Sequence, residues 1–261
     1  MSKKLIRTDQ EYISFLKLDD LPANSLSSQM MSEIQTELTA IDRDPKIRVV
    51  VFESASEKIF CSGHSLTEVK DMMSNNDVKS QNALFKQCSL MMKQIQQISK
   101  PVIAKVRGVS TAAGCQLSAS ADLAYGSDDS RYALPGSNIS LWCHTPQVAV
   151  SRTIGRKATM EMLLSGELIS ADRAEKIGLI NKVVSSESLD DEVFNICKLI
   201  SEKSAEVVAQ GKRSFYKQIE LGLSDAYSLT SESMVKNLEL NDANEGISAF
   251  LEKRKPKWTD N

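Results

Sequence analysis

The chain lacks the features that mark secreted, membrane-spanning and nucleic-acid-binding proteins. It has no apolar run of about 18 residues, and no apolar segment of about 7–15 residues follows the two lysines of MSKKLIRTDQEY. The net charge is −2 and no basic stripe with interleaved aromatics occurs, which argues against a nucleic-acid partner. The sequence therefore predicts a cytoplasmic protein, with a processed mitochondrial protein that has lost its transit peptide as the alternative.

Cysteine usage disfavours disulfides and bound metal. The five cysteines are odd in number, widely spaced and free of any C-x-x-C pair, which favours a reducing compartment. We predict no metal site and no nicotinamide cofactor, since no G-x-G-x-x-G follows a strand. The cysteines are Cys61, Cys88, Cys115, Cys143 and Cys197.

Strand and helix patterns alternate in the first part of the chain. YISFLKL (12–18) precedes a helix pattern, IRVVVFES (47–54) is typical of a strand buried on both faces, and further helices and strands follow to residue 127. This alternation predicts an α/β fold. From about residue 186 only amphipathic helices are predicted, so we place a core domain at 1–185 and a helical C-terminal region at 186–261.

Two short segments repeat one arrangement, in which small residues lie between a strand and a helix start. They are IFCSGHSL (59–66) and GVSTAAGCQL (108–117). Small side chains let a ligand approach the backbone, and helix N-termini present unpaired N–H groups. Two such turns on adjacent strands predict an oxyanion hole, with tight strand-to-helix packing as the alternative explanation of either turn.

These segments resemble two signatures of the crotonase (enoyl-CoA hydratase/isomerase) superfamily. IFCSGHSLTE is similar to F-x-x-G-x-D-L, and KPVIAKVRGVSTAAGCQLSASADLAY is similar to KPVIAAVNG-x6-GCEL-x4-D. The similarity covers about residues 10 to 256. It implies a spiral of β-β-α units of the ClpP-like type, with a helical C-terminal trimerisation region. It also implies a coenzyme A thioester as the ligand, with no separate cofactor, and a homotrimer or dimer of trimers.

The resemblance implies the roles of individual residues. The backbone amides of Ser62 and Ala113 would form the oxyanion hole, and Ser65 stands where the family usually has aspartate. The residues that would line the acyl-CoA site are Ala23, Ser62, Gly63, His64, Ser65, Leu66, Gly114, Gln116, Pro135, Gly136 and Trp142.

Both glutamates that hydratases of this family use are replaced. The acid of GCEL is Gln116 here, and the acid after the proline of a Q-P-E segment is Gly136. Glutamine does not exchange a proton at neutral pH, and glycine has no side chain. We therefore expect very poor hydration, which Gln116→Glu together with Gly136→Glu should raise.

Few other residues are candidates for proton transfer. His144 falls where dienoyl-CoA-type isomerases carry an additional acid, and its alternative is a pocket-lining or surface role. Cys143 is expected to be a buried, inert thiol rather than a nucleophile, and His64 is expected to contact ligand or solvent, with catalysis as the alternative. Asp122 is expected to be a structural hydrogen-bond acceptor.

Several functions remain open on the sequence alone. The chain is either an acyl-CoA enzyme with isomerase or thioester hydrolase chemistry, a non-catalytic acyl-CoA-binding or regulatory protein, or an ordinary hydratase. A structural assembly protein would not explain the two turns. A Ser-His-Asp hydrolase built from Ser62, His144 and Asp122 lacks the G-x-S-x-G elbow.

Overall fold

The computed structural model describes residues 2–259, which contain ten strands and eleven α-helices. The strands are β1 (Leu5–Gln10), β2 (Ile13–Leu18), β3 (Val49–Ser54), β4 (Ile59–Cys61), β5 (Val102–Val106), β6 (Val109–Thr111), β7 (Leu123–Ser127), β8 (Arg131–Ala133), β9 (Ile169–Ser170) and β10 (Lys182–Val184). The helices are α1 (Ser28–Arg43), α2 (Leu66–Ser74), α3 (Val78–Gln97), α4 (Ala113–Ser120), α5 (Pro146–Thr153), α6 (Arg156–Ser165), α7 (Ala171–Lys176), α8 (Leu189–Ser201), α9 (Ala205–Gln218), α10 (Leu223–Leu238) and α11 (Asn241–Leu251). A 3₁₀ helix spans Pro135–Ile139.

The strands form two sheets, and successive β-β-α units add one strand to each sheet. The larger sheet has the order β1-β2-β3-β5-β7-β10, and the smaller sheet has the order β4-β6-β8-β9. The consecutive pairs β3 and β4, β5 and β6, and β7 and β8 each divide between the two sheets. From β2 to β10, neighbouring strands of the larger sheet are parallel. The predicted α/β fold is therefore confirmed.

The strand β3 is buried on both faces, as its continuous apolar sequence predicts. Side chains alternate along a strand, so Val50 and Phe52 join the main core while Val49 and Val51 join a second cluster. That second cluster is covered by the apolar stripe of α8, which begins at Leu189. The helix α1, which follows β2, packs against the core through its predicted apolar stripe. Its residues Met31, Ile34, Leu38 and Ile41 are all buried.

Four helices follow β10, in the region where the sequence predicts only helices. α8 packs on the larger sheet and therefore belongs to the core by its contacts. α10 buries none of its residues within the single chain. Large apolar side chains of α10 and α11 are instead exposed, including Leu223 (77%) and Phe250 (82%).

Candidate active site

The two small-residue turns follow neighbouring strands of the smaller sheet. β4 ends at Cys61 and β6 ends at Thr111, and the two strands pair in parallel with Cys61 opposite Ser110. The chain therefore leaves both strands at one edge of the sheet. The prediction of adjacent strands is confirmed, but β4 and β6 are short strands that come after the longer strands expected from the sequence.

The turns pack against each other backbone to backbone. Gly63 has φ +99°, and a Cβ built there would lie 2.9 Å from the Ala112 Cβ and 3.1 Å from the Ala113 nitrogen. A Cβ on Gly114 would overlap the Cys61 carbonyl oxygen. Only glycine permits this approach at both positions, and the result is that residues 62–64 lie directly beside the start of α4.

The donor expected from the first turn is already occupied. The Ser62 N–H donates to the Ala23 carbonyl oxygen at 3.1 Å, so it is not free to donate to a ligand oxygen, contrary to the prediction. Among the hydrogen bonds of residues 2–259, none is donated by the backbone N–H of His64 or of Ala113. Ala113 is the first residue of α4, where the helix supplies no acceptor. Each turn therefore contains a backbone N–H with no acceptor among the described residues, at His64 in the first turn and at Ala113 in the second.

Ala112 holds a backbone conformation that alanine rarely adopts. Its φ is 50° and its ψ is −119°. Its N–H donates to the Ala133 carbonyl and its own carbonyl accepts from the Gln116 N–H, both at 3.0 Å. Strain of this kind costs on the order of 1–3 kcal/mol and is often stored at functional sites. The conformation turns the chain abruptly from β6 into α4 and so places the Ala113 N–H at the start of the helix, where no backbone acceptor precedes it.

The loop at residues 22–26 is fixed against the first turn. The side-chain amide of Asn24 is buried and donates to Ser54 Oγ at 2.8 Å and to the Ile59 carbonyl at 3.2 Å. The Leu26 N–H donates to the Gly63 carbonyl at 2.7 Å. These bonds place the predicted lining residue Ala23 beside residues 62–64.

His64 carries a buried nitrogen with no hydrogen-bond partner. Its Nδ1 lies 3.2 Å from the Leu26 carbonyl oxygen, and its ring meets the ring of Phe85 edge-on at 5.3 Å between centroids. Its Nε2 is buried and has no hydrogen-bond partner within residues 2–259. Burial lowers the pKa of this imidazole from its ordinary value of 6.5, against smaller opposing effects of Leu26 and Glu68. The sequence predicted His64 as a lining residue, but it gave no sign that one ring nitrogen would be buried without a partner.

Ser65 and Leu66 begin the helix α2. The Ser65 side chain accepts from the Glu68 N–H at 3.3 Å and so caps α2, while Leu66 is 56% exposed. A cleft of about 550 Å³ opens beside this helix start. Its lining contains Ser65, Lys4 and several carboxylates, among them Glu68 and Asp71. The predicted lining position of Ser65 thus opens onto a cleft, although its side chain also has a structural role.

Gln116 lies in the second turn of α4 and is 4% exposed. Its Oε1 lies 3.9 Å from the Cys88 sulfur of α3, which is a weak thiol donor. Burial raises the pKa of the Cys88 thiol to about 12, so no thiolate stands beside the amide at neutral pH. The position predicted to lack an acid therefore holds a neutral side chain in a neutral environment.

Gly136 is close-packed and has no room for a side chain. It lies in the 3₁₀ helix that follows Pro135, and β8 before it pairs with β6, so this segment leaves the same sheet edge as Ala112. A Cβ on Gly136 would overlap the Leu141 carbonyl oxygen and lie 2.9 Å from the Cys143 sulfur. The expectation that Gly136→Glu restores an acid is therefore wrong for this backbone.

The two candidate residues of the segment at residues 141–147, Cys143 and His144, lie in different environments. His144 is exposed, and its N–H donates to the Trp142 carbonyl at 2.8 Å. Trp142 packs against the core, and its indole N–H donates to Gln147 Oε1 at 2.8 Å. Cys143 is buried and burial raises the pKa of its thiol, as expected of an inert cysteine. None of the described contacts joins His144 to the two turns, so its catalytic role stays a prediction.

Asp122 is a structural acceptor, as predicted. Its Oδ2 accepts from the Val102 N–H at 2.7 Å and from Lys212 Nζ at 2.6 Å, and its Oδ1 accepts from the Tyr216 hydroxyl at 2.8 Å. Lys212 is buried and also donates to the Ile95 carbonyl at 2.9 Å. Burial lowers the pKa of Lys212 and raises that of Tyr216. The carboxylate thus ties α9 to the strand β5.

Within residues 2–259, His, Cys, Asp and Glu side chains form no group of three or more that could hold a metal ion. In the same range no helix is long and apolar enough to cross a membrane.

Comparison with known proteins gives consistent similarities over nearly the whole chain. The model of the enoyl-CoA hydratase/isomerase family matches residues 8–261. "Enoyl-CoA hydratase domain-containing protein 3, mitochondrial" of Xenopus laevis is 44% identical over 236 residues, which cover 90% of this chain and 79% of that protein. The crystal structure of human enoyl-CoA hydratase domain-containing protein 3 superposes with a TM-score of 0.93 at 40% identity and covers 98% of this chain and 100% of that one. A structure of enoyl-CoA hydratase from Mycobacterium smegmatis gives a TM-score of 0.93 at 41% identity, covering 98% and 99%.

Proposed function

Because the chain belongs to the enoyl-CoA hydratase/isomerase family, which confirms the resemblance in its two signatures, we propose that it binds acyl-CoA or enoyl-CoA thioesters through an oxyanion hole. The observation that carries this proposal is the pair of unpaired N–H groups at His64 and Ala113, on two turns that pack against each other. A thioester carbonyl oxygen gains charge when its α-carbon loses a proton. Two fixed backbone donors stabilise that charge without reorganising.

Hydration is not the activity that these residues favour. Adding water to an enoyl thioester needs a base for the water and an acid for the α-carbon, and each such group contributes roughly 10²–10⁴ in rate. Gln116 and Gly136 stand at the positions of the family's two acids, and neither transfers protons. An oxyanion donor alone contributes roughly 10²–10³. We propose an acyl-CoA-binding enzyme of the family that polarises the thioester and hydrates poorly, using isomerase or hydrolase chemistry.

A non-catalytic acyl-CoA-binding or regulatory protein is the second candidate. It is favoured by the same replacements, because the backbone donors bind a thioester oxygen whether or not a proton carrier is present. Calorimetry with a short-chain and a long-chain acyl-CoA, together with turnover on a panel of enoyl- and acyl-CoA thioesters, separates the two. Binding with turnover supports the enzyme and binding alone supports the second candidate, whereas no binding at millimolar ligand rejects both.

Removing one backbone donor tests the oxyanion hole directly. Proline lacks an N–H and is tolerated at the first position of a helix, so Ala113→Pro deletes this donor. Ala113→Ser adds one side-chain atom at the same buried position and keeps the N–H. We expect Ala113→Pro to lower turnover by roughly 10²–10³ relative to Ala113→Ser. Equal turnover in two folded variants would contradict the proposed donor.

The assembly is proposed to be a homotrimer or a dimer of trimers. Leu223, Tyr227, Phe250 and Leu251 are each more than two thirds exposed in the single chain, and a symmetric contact would cover such side chains. The experiment is light scattering at micromolar concentration, where a monomer would contradict the proposal. Because the relatives are named as mitochondrial proteins, we also favour the processed mitochondrial form over the cytoplasmic one, to be checked by cell fractionation.

A further inference from the structure

The Nε2 atom of His64 has a lone pair that accepts no hydrogen bond from any residue in 2–259. A carbonyl oxygen only accepts, so the contact of 3.2 Å between Nδ1 and the Leu26 carbonyl requires the hydrogen of the neutral ring to sit on Nδ1. Nε2 is then an unprotonated acceptor. It is buried and has no hydrogen-bond partner within residues 2–259, a situation that costs about 1–3 kcal/mol unless a ligand or water satisfies it.

The imidazole of His64 and the side chain of Gln116 both contact α3. The His64 ring contacts Phe85 of α3, and Cys88, less than one helical turn further along, is the residue that meets the Gln116 side chain. The two side chains therefore border neighbouring positions of the same helix. His64 also supplies the unpaired backbone N–H of the first turn.

We infer that the side chain of His64 is the proton acceptor of this site, which rests on the proposed thioester-binding function. Nε2 takes the α-proton of a bound acyl thioester. The electron pair of that C–H bond forms the double bond between the α-carbon and the carbonyl carbon, and the carbonyl π pair moves to the oxygen, where the backbone N–H groups of His64 and Ala113 hold the enolate. The imidazolium then returns a proton to the carbon skeleton.

The surroundings of His64 keep the ring neutral and ready to accept a proton. The Leu26 carbonyl and the Phe85 ring, which approach from the loop and from α3, carry no charge. Glu68 of α2 is the charged group that acts on the imidazole, and its carboxylate is bonded to the Ser28 N–H at 3.0 Å and to the Ser28 hydroxyl. Burial outweighs Glu68 and lowers the pKa of His64 below 6.5. The base form therefore predominates at neutral pH.

Exchange of α-hydrogen in deuterated water tests the inference. The probe is butyryl-CoA, with deuterium at the α-carbon measured by mass spectrometry and binding measured separately by calorimetry. His64→Asn keeps an amide donor near the position of Nδ1, toward the Leu26 carbonyl, and removes the base. His64→Gln places an amide near Nε2 instead and loses that contact. Both variants retain the backbone N–H, so both keep the oxyanion donor.

We expect the wild type to exchange, and each variant to lose exchange by roughly 10²–10⁴ while still binding butyryl-CoA. The wild-type rate should be constant above pH 6.5 and fall at lower pH as Nε2 takes up a proton. Exchange that survives in His64→Asn would show that the ring only anchors Leu26 and would overturn the inference. Binding without exchange in the wild type, or exchange lost in His144→Gln and kept in His64→Asn, would overturn it as well. Failure of the wild type to bind butyryl-CoA would instead reject the proposed function.

Discussion

Rebuilding the two carboxylates of a hydratase on this backbone should fail, and position 136 is where it fails first. Any side chain at Gly136 begins with a Cβ that overlaps the Leu141 carbonyl oxygen and lies 2.9 Å from the Cys143 sulfur. Overpacking a core costs about 1–3 kcal/mol, and overlap with backbone places this case at the upper end. We expect Gly136→Ala to destabilise the protein by about 3 kcal/mol, which corresponds to a drop of roughly 6–12 °C in Tm for a domain of this size.

Position 116 accepts a glutamate more readily but gives it no partner. Gln116 is 4% exposed, and its side-chain oxygen lies near the Cys88 thiol. Burial disfavours a carboxylate, so we expect Gln116→Glu to have a raised carboxyl pKa and to cost about 1–3 kcal/mol at neutral pH. The double variant Gln116→Glu with Gly136→Glu should therefore be unstable and should not gain hydration.

Thermal unfolding and crotonyl-CoA hydration are the two assays. Gly211→Ala is the matched control, because nothing lies within 4 Å of a Cβ at this helical position, and alanine there should stabilise by up to about 1 kcal/mol. Gly136→Ala within about 0.5 kcal/mol of wild type, which is the range of ordinary surface substitutions, would refute the packing argument. A folded double variant that hydrates orders of magnitude faster than wild type would refute it too.

Three further predictions concern stability. Asp122→Asn removes the carboxylate that pairs with buried Lys212 and should cost about 3–5 kcal/mol. Adding Lys212→Met should cost less than the sum of the single changes, which a double-mutant cycle by chemical denaturation will show, and additive changes would contradict the pair. Ala112→Gly should raise Tm by relieving the positive φ, with up to about 1–3 kcal/mol available, and a lowered Tm would contradict the strain. The pKa of His64 is lower in the folded than in the unfolded protein, so the contribution of His64 to the free energy of unfolding should be full above pH 6.5 and decline below it. In denaturation measured at several pH values, His64→Asn should abolish that part of the decline. An unchanged decline in the variant would contradict the lowered pKa.

Periodicity predicted most of the framework because long elements leave a repeated signal. The stripe of α1 and the continuous apolar run of β3 lie where their patterns place them. Strands of two or three residues such as β4, β6 and β9 carry no such signal. For this reason the sequence pattern did not reveal the smaller sheet, and it placed the two turns after β3 and β5.

The candidate site was predictable in location but less so in detail. The small residues around Gly63 and Gly114 identify two turns that must approach closely, and the structure brings these turns together. Which amide is free depends on the loop at residues 22–26, since the Ala23 carbonyl takes the Ser62 N–H. The packing around Gly136 and the unpaired Nε2 of His64 likewise depend on residues distant in sequence, which no local pattern reveals.

The central claim is that this chain binds a CoA thioester at two backbone donors yet lacks hydratase acids. One measurement tests it most directly: the steady-state rate of crotonyl-CoA hydration, made on protein whose binding of the same thioester is confirmed by calorimetry. We expect binding, with hydration lower than that of a two-glutamate hydratase by on the order of 10⁴ or more. Hydration comparable to that of such an enzyme would show that the chain has not lost the proton transfer of a hydratase.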